Sequence, residues 1–514
     1  MRTMAVCAFA VLTASCGGSD PSAITKWGNP EGYTVHWLSG AALDSKEAAI
    51  NGVSVEPATI DTIDASIASL VASVHAPTTV AEVGEGVQPD LTVDFRTASP
   101  LPPHFYGGDM QWHSKYFLDL PNYRALVRNI RIDRLRFPAG LERGTYDRTG
   151  ATAPTDDLGN ERFRLTGQDV ASYIDFCRQL NIAAEPQVNL AVYDPTMWKD
   201  MVDQIVNELG YDLKFISAGN EPDINNSRSP WSLYDATTLD QVLANYATRY
   251  RGYQQAIATV KLGVTDRVTY VYGELGDWSG YLSSGLGGSL DKLLNGLDGN
   301  QPGALSVHWY PTGDYGQPSD DVSFPSFDHL GGDVIHEELT SVAYAMKGAA
   351  LRLDHPELVL GEFATAWSAT AASNAVQDRL GTAIFGAEVN EYAKVAGFDS
   401  ISWWSVSDPK SWEPWATSLI AVDEKAGDAL SVRPQYYVYL MYKHLYGDQV
   451  VSVPGGQMDE WSIYASRDDA RSYLMLINRS PSVTFTKVVA ATTAGGQKRL
   501  ALTLYPHSVS IVSF

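Results

Sequence analysis

From about residue 104 to residue 424 the chain alternates short apolar runs with segments of helix length, the rhythm of repeated β/α units. The runs are FYGGDMQW, IDRLRFPAG, AAEPQVNL, FISAGNEP, VTYVYGEL, ALSVHWYP, LVLGEFAT and SISWWSVS. Between the third and fourth, Met197, Met201, Val202, Ile205, Val206 and Leu209 fall on one side of a helix, as the outer ring of a barrel requires. Eight such units predict an α/β fold, a (β/α)8 TIM barrel. After about residue 425 one helical segment, YYVYLMYKHLYG, leads into QVVSVPG, EWSIYASR, RSYLMLINRS, VTFTKVVA, RLALTLYP and SVSIVSF. These short alternating segments are expected to form an antiparallel β-sandwich domain built mostly from the C-terminal part of the chain. Upstream, LTVDFRT places Leu91, Val93 and Phe95 on one face of a half-buried strand, expected to join that sandwich before the chain enters the barrel. Residues 17 to about 90 carry weaker signals. Ile63, Ile67, Leu70 and Val74 share one helical face before Pro77, Gly84, Gly86 and Pro89 interrupt it. The expected order is a leader and linker (1–23), a variable extension (24–90), a sandwich-joining strand (91–103), the barrel (104–424) and the sandwich (425–514).

The opening segment MRTMAVCAFAVLTASCGGSD changes where this fold is expected to work. One basic residue, an uncharged stretch from Met4 to Ser15, and Cys16 followed by Gly17, Gly18 and Ser19 resemble a bacterial lipoprotein export signal. The expectation is an exported protein, tethered to the cell envelope through a lipid on Cys16 or secreted. Cys7 and Cys16 belong to that leader, so the folded body holds Cys177 alone and no disulfide framework. Cys177 sits in the apolar-patterned DVASYIDFCRQLNI and reads as a small buried hydrophobe. With 45% hydrophobic residues the chain can fill a large core, which excludes a disordered class. A formal charge of -23 argues against a nucleic-acid partner, whose phosphates need a basic surface.

In an eight-stranded barrel the C-terminal ends of the strands face the functional side. FISAGNEPD ends the fourth run with Asn220 and Glu221, and LVLGEFATAW ends the seventh with Glu362. Most glutamates are solvated surface charges. These two follow apolar strands, where an unpartnered charge is costly, and both belong to one rim. A pair of carboxylates suits glycosidic hydrolysis: the leaving oxygen needs a proton, and the anomeric carbon needs a nucleophile or an activated water.

With GNEP at 219–222, a second glutamate closing the seventh strand and HWY in the sixth, the chain resembles the retaining glycoside hydrolases of clan A, the 4/7 superfamily of (β/α)8 barrels. The resemblance spans roughly residues 91 to 514. It implies that Glu221 is the acid/base, Glu362 the nucleophile and Asn220 the group that holds the sugar 2-hydroxyl. It further implies that His308 and Tyr310 shape the site, with Tyr310 bonded to Glu362. Arg136 in LRFPAG resembles the arginine that steadies the nucleophile, and Trp404 in SWWS the aromatic floor under the sugar. Within the clan the motifs are shared among families 44, 79, 51 and 39. Ala139 stands where several relatives have a second glycine, and GEFATAW lacks the Asn-Ser that follows the nucleophile in some.

Other chemistries fit less well. HEELT at 336–340 begins like a zinc-protease helix, but Thr340 takes the place of the second histidine, so neither a metal nor a cofactor is expected. Gly285, Gly287 and Gly288 lack the Lys-Ser/Thr tail of a phosphate loop. The function expected is a retaining β-glycoside hydrolase with a carbohydrate substrate, endo-acting on a glucan or hemicellulose. One alternative is an exo-acting β-glucuronidase of the heparanase-like family, suggested by AGNEPD. Another is a surface carbohydrate-binding lipoprotein without activity, which could dispense with one of the two acids. A purely structural envelope protein would not need its polar residues to converge at one rim.

Overall fold

The computed structural model describes residues 34–39, 49–50, 53–54, 80–140, 144–150, 164–224, 231–260, 268–276, 288–311, 314–315, 331–366, 368–369, 380–409, 418–423 and 429–514. The leader with Cys7 and Cys16, the helix expected around Ile63 to Val74, and Gly285 and Gly287 lie outside the described residues.

Each of the eight apolar runs coincides with a strand of one closed barrel, to within two residues at the ends of the seventh and eighth. The strands are β1 (Tyr106–Gln111), β2 (Arg134–Ala139), β3 (Ala183–Val188), β4 (Phe215–Ala218), β5 (Thr269–Leu275), β6 (Ala304–Trp309), β7 (Glu357–Phe363) and β8 (Ser400–Pro409). Neighbours pair in parallel in chain order, and β8 pairs with β1 to close the ring. Strands covered by helices outside and filled by side chains inside have no solvent-facing side. That is why they read as near-continuous apolar runs.

A helix follows each strand: α1 (Pro121–Asn129), α2 (Gly167–Leu180), α3 (Pro195–Asp203), α4 (Leu239–Ile257), α5 (Ser289–Asn295), α6 (Gly332–Ala350), α7 (Leu380–Ala396) and α8 (Pro434–Leu445). Local chemistry sets several starts. Thr166 and Asp169 form a reciprocal capping box on α2, Asp194 accepts the Thr196 and Met197 amides at α3, and Thr238 caps α4. Met201, Val202, Ile205 and Val206 are buried, on α3 and the turn of π-helix that extends it.

Two boundaries differ from the sequence expectation. The helix α8 lies beyond residue 424 but packs against α7 and completes the barrel's outer ring. A helix must cover β8, and the intervening hairpin Ile420–Asp423 with Ala429–Val432 delays its arrival. The region read as a variable extension also supplies sandwich strands. Thr34–Ser39 pairs antiparallel with Ser508–Ser513, and Val80–Glu82 with Gly496–Leu504.

The sandwich consists of an eight-stranded and a four-stranded sheet. All six C-terminal alternating segments supply strands to it. Leu91–Asp94 runs parallel to Phe485–Thr493, and Ala98–Pro100 antiparallel to Gln449–Val451. Val80, Leu91, Val93, Ile463, Leu474, Val489 and Leu500 fill the core between the sheets. Among the described residues no helix is long and apolar enough to cross a membrane.

Candidate active site

The fourth strand runs apolar to Ala218 and then turns. Gly219 takes φ +80, and a Cβ there would come within 2.8 Å of the Tyr246 ring, so both backbone and space require glycine. Asn220 and Glu221 follow, with Glu221 itself at φ +38. A non-glycine residue is uncommon in that region and keeps it only where the surrounding structure fixes it. The backbone N–H of Glu221 donates to the carbonyl of Glu274 at 2.7 Å, tying the end of β4 to β5.

The strands β1, β2, β4, β5, β6 and β7 bring their polar side chains to one place. Arg136, buried on β2, donates through Nη1 to Glu274 Oε2 at 2.6 Å and through Nη2 to Glu362 Oε1. Its Nη2 also meets Asn220 Oδ1 at 3.5 Å, and its Nε lies 2.8 Å from Asp109 Oδ1 in an ion pair without hydrogen-bond alignment. The imidazole of His308 contacts three carboxylates: Nε2 is 2.9 Å from Glu274 Oε2, and Nδ1 is 3.0 Å from Glu221 Oε1 and 3.4 Å from Glu362 Oε2. Tyr310 donates its hydroxyl to Glu362 Oε2. Trp404 on β8 sets its ring over Gly140, just past Arg136 on the neighbouring turn, where a Cβ would approach to 2.9 Å. One oxygen each of Glu221 and Glu362 and one His308 nitrogen lie within 4.8 Å of one another.

These contacts set the charge states. Burial alone would lower the His308 imidazole, but Glu362, Glu221 and Glu274 outweigh it and lift its pKa to about 10, so both ring nitrogens carry hydrogen. Burial raises Glu362 above the ordinary glutamate value, with Glu221 adding to the shift against His308, Arg136 and Tyr310. Glu274 goes the other way. Burial opposes ionisation there, yet Arg136, His308 and the Ser217 hydroxyl bring it down to about 2. Burial and the surrounding carboxylates hold the Tyr310 hydroxyl well above its usual range, so it stays a donor.

Six of the seven residues singled out in the sequence (Arg136, Asn220, Glu221, His308, Tyr310 and Glu362) therefore share one contact network, with Trp404 on the adjoining strand. Glu274 and Asp109 were not singled out. The signal for Glu274 was available: Gly273–Glu274 after VTYVY repeats the Gly361–Glu362 pattern after LVL. Asp109, in FYGGDMQW, has no comparable mark. The Glu221, His308 and Glu362 atoms converge as metal ligands would, but Arg136 and protonated His308 already supply the positive charge a divalent ion would bring. His336 of the HEELT segment instead meets Glu388 at 2.6 Å, between barrel and sandwich, and Cys177 is buried.

No known protein-family profile matches the chain, and no curated protein matches it. Solved structures do resemble it. An α-L-arabinofuranosidase from Thermotoga maritima, solved with arabinose, superposes with a TM-score of 0.59 at 14% identity, over 83% of this chain and 100% of that one. A family 44 xyloglucanase from Paenibacillus polymyxa, solved with xyloglucan, gives 0.57 at 12% identity over 82% and 98%. CelM2, a bifunctional glucanase-xylanase from a metagenome library, gives 0.57 at 14% over 82% and 98%. At such identities the likeness is one of fold, a (β/α)8 barrel shared with glycoside hydrolases of families 44 and 51.

Proposed function

We propose that this protein is a retaining glycoside hydrolase that cleaves β-linked polysaccharide or oligosaccharide, endo-acting on a glucan or hemicellulose. The observation that carries the reading is the approach of Glu221 and Glu362 within 4.8 Å, both facing one histidine nitrogen. Carboxyl groups about 5 to 5.5 Å apart suit double displacement, whereas an inverting pair needs room for a water between them. In the first step Glu362 attacks the anomeric carbon while Glu221 gives its proton to the departing glycosidic oxygen. In the second, Glu221 takes a proton from water as that water displaces Glu362. Arg136 and Tyr310 fix the attacking carboxylate, Asn220 holds the 2-hydroxyl, and Trp404 supports the sugar ring. The glucan choice draws on the fold neighbours that act on xyloglucan, glucan and xylan. It also draws on a cluster in which Arg136 and His308 are both already committed to protein carboxylates, leaving neither to clamp a uronate.

Release of reducing sugar should be measured across neutral glucans, xylans, xyloglucan and an aryl β-glucuronide, with the anomer first formed followed by proton NMR. The expected result is turnover of a neutral polymer with retained configuration. Inverted product, or preference for the glucuronide, would overturn the mechanism or the substrate respectively. Export with a lipid on Cys16 completes the proposal, and the intact mass of the native mature protein tests it.

A further inference from the structure

We propose that Glu274 is a positioning residue for the glycosidic reaction, one buried carboxylate that sets both members of the Glu221–Glu362 pair. The inference rests on the reading of that pair as the catalytic dyad. Three sets of contacts carry it. The Glu274 side chain takes Arg136 Nη1 at 2.6 Å and His308 Nε2 at 2.9 Å, and those same two residues reach onward to Glu362 and, through His308 Nδ1, to Glu221. Its main-chain carbonyl accepts the Glu221 N–H at 2.7 Å. Its own oxygens are held from behind by Ser217 Oγ at 2.7 Å and Ser306 Oγ at 2.8 Å.

The surrounding chain is shaped to admit this group. Gly273 at φ +106 and Glu274 at φ +44 make an irregularity in β5, where the register with β6 shifts between Tyr272 and Leu275. Such a bulge re-aims a side chain, here into the barrel. On β7, one strand beyond β6, a Cβ on Gly361 would stand 2.7 Å from Glu274 Oε2 and 2.1 Å from Ser306 Oγ. One on Gly276 would stand 2.8 Å from the Glu221 carboxyl. Glycine at these two positions leaves the space that the carboxylates occupy. Both Glu274 oxygens are taken up by Arg136, His308, Ser217 and Ser306, so it acts through its neighbours. As a fixed anion it adds to Glu362 and Glu221 in holding the His308 ring protonated, and the Nδ1 hydrogen between the two proposed catalytic carboxylates remains available.

The test is Glu274→Gln in the full chain, with Gly361→Ala as a second variant that crowds the carboxylate without removing its charge. Glu274→Gln is expected to lower kcat on the best substrate of the panel about 100-fold with KM within threefold, since misplaced groups act on the transition state. The alkaline limb of its kcat/KM profile should move to lower pH. Gly361→Ala should lower kcat about tenfold. Independently of any substrate, 15N NMR of the histidine rings, with His308 assigned by its loss in His308→Asn, should show the protonation midpoint falling in Glu274→Gln. A merely structural Glu274 would instead lower thermal stability while kcat per folded molecule and the His308 midpoint stayed at wild-type values, and that result overturns the proposal. Should the wild-type chain cleave nothing in the panel while the His308 midpoint still falls, the catalytic reading fails and the positioning network stands. Should Glu274→Gln fail to fold, wild-type kcat in Gly361→Ala overturns the proposal.

Discussion

Two buried carboxylates in this molecule have nearly the same surroundings, and the proposed reading gives them different tasks. Glu274, at the barrel mouth, is held by Arg136, His308 and the hydroxyls of Ser217 and Ser306. Glu388 on α7, at the seam between barrel and sandwich, is held by Arg479, His336 at 2.6 Å, Ser462 at 2.8 Å and Tyr464. Each is fully buried, and in each case Arg and His overcome burial to bring the pKa down to about 2. The difference lies in where the cations lead. Arg479 goes on to the carbonyls of Met458 and Asp459, and the His336 ring stacks on Tyr392, so the seam network ends in backbone and packing. Arg136 and His308 go on to Glu362 and Glu221, and burial raises Glu362. A low-pKa acid gripped by Arg and His therefore does not mark a catalytic site. What distinguishes the mouth is that its cations are shared with the proposed Glu221–Glu362 pair.

The largest effect should separate the regions outright. Glu362→Gln removes the proposed nucleophile and is expected to lower kcat by a factor on the order of 10⁴ or more, with little change in stability. Glu388→Ala leaves Arg479 buried without its carboxylate and should cost roughly 3 to 5 kcal/mol of folding stability, since it breaks a buried pair from one side. Turnover per folded molecule should stay within twofold. Denaturant melts and active-site-normalised kcat read both quantities. If Glu388→Ala folded stably but lost turnover, the seam would belong to the catalytic machinery and the contrast would collapse.

The next effect is in pH. Glu274 and Glu388 have folded values depressed from the ordinary 4.5 to about 2. Their stabilisation is present above pH 4.5 and is lost as pH falls through 2, on the order of 3 kcal/mol for each. His308 is raised from 6.5 to about 10, so its contribution is present below pH 6.5 and is lost as pH rises through 10. Unfolding free energy should thus peak between about pH 4.5 and 6.5 as far as these groups determine it. Glu388→Ala should shallow the acid slope and leave the alkaline slope, which belongs to the mouth. An unchanged acid slope in that variant would deny Glu388 its depressed value.

The barrel was legible because its strands are covered on both sides and read as apolar runs, and Glu221 and Glu362 because each ends such a run. Glu274 also follows a Gly after an apolar strand, but nothing in VTYVYGEL says that its neighbours in space are Arg136, Ser217 and Ser306, each from a different strand. The seam acid was less legible still. Glu388 lies within a helix whose neighbours Ala387 and Val389 are also buried, and its partners His336 and Arg479 are distant in sequence. TVHWLS at 34–39 was missed for the same reason: its ladder partner is Ser508–Ser513, at the far end of the chain. Pattern reports local periodicity, whereas these features depend on which distant segments meet.

The smallest effect concerns the hydroxyls, and it sharpens the comparison without removing any charge. Ser217 and Ser306 each donate to Glu274, as Ser462 does to Glu388, at 2.7 to 2.8 Å. A hydrogen bond to a charged group contributes about 1.5 to 3 kcal/mol, so all three Ser→Ala variants should lose stability by a similar amount. Activity should divide them. In Ser462→Ala the seam carboxylate keeps Arg479, His336 and Tyr464, and none of these reaches the dyad, so kcat should be that of the wild type. In Ser217→Ala or Ser306→Ala the Glu274 carboxylate can rotate on Arg136 and His308, and kcat should fall about three- to tenfold with KM little changed. Equal kcat in all three variants would mean that Arg136 and His308 hold their places without Glu274 being fixed, and the two buried acids would then be equivalent struts.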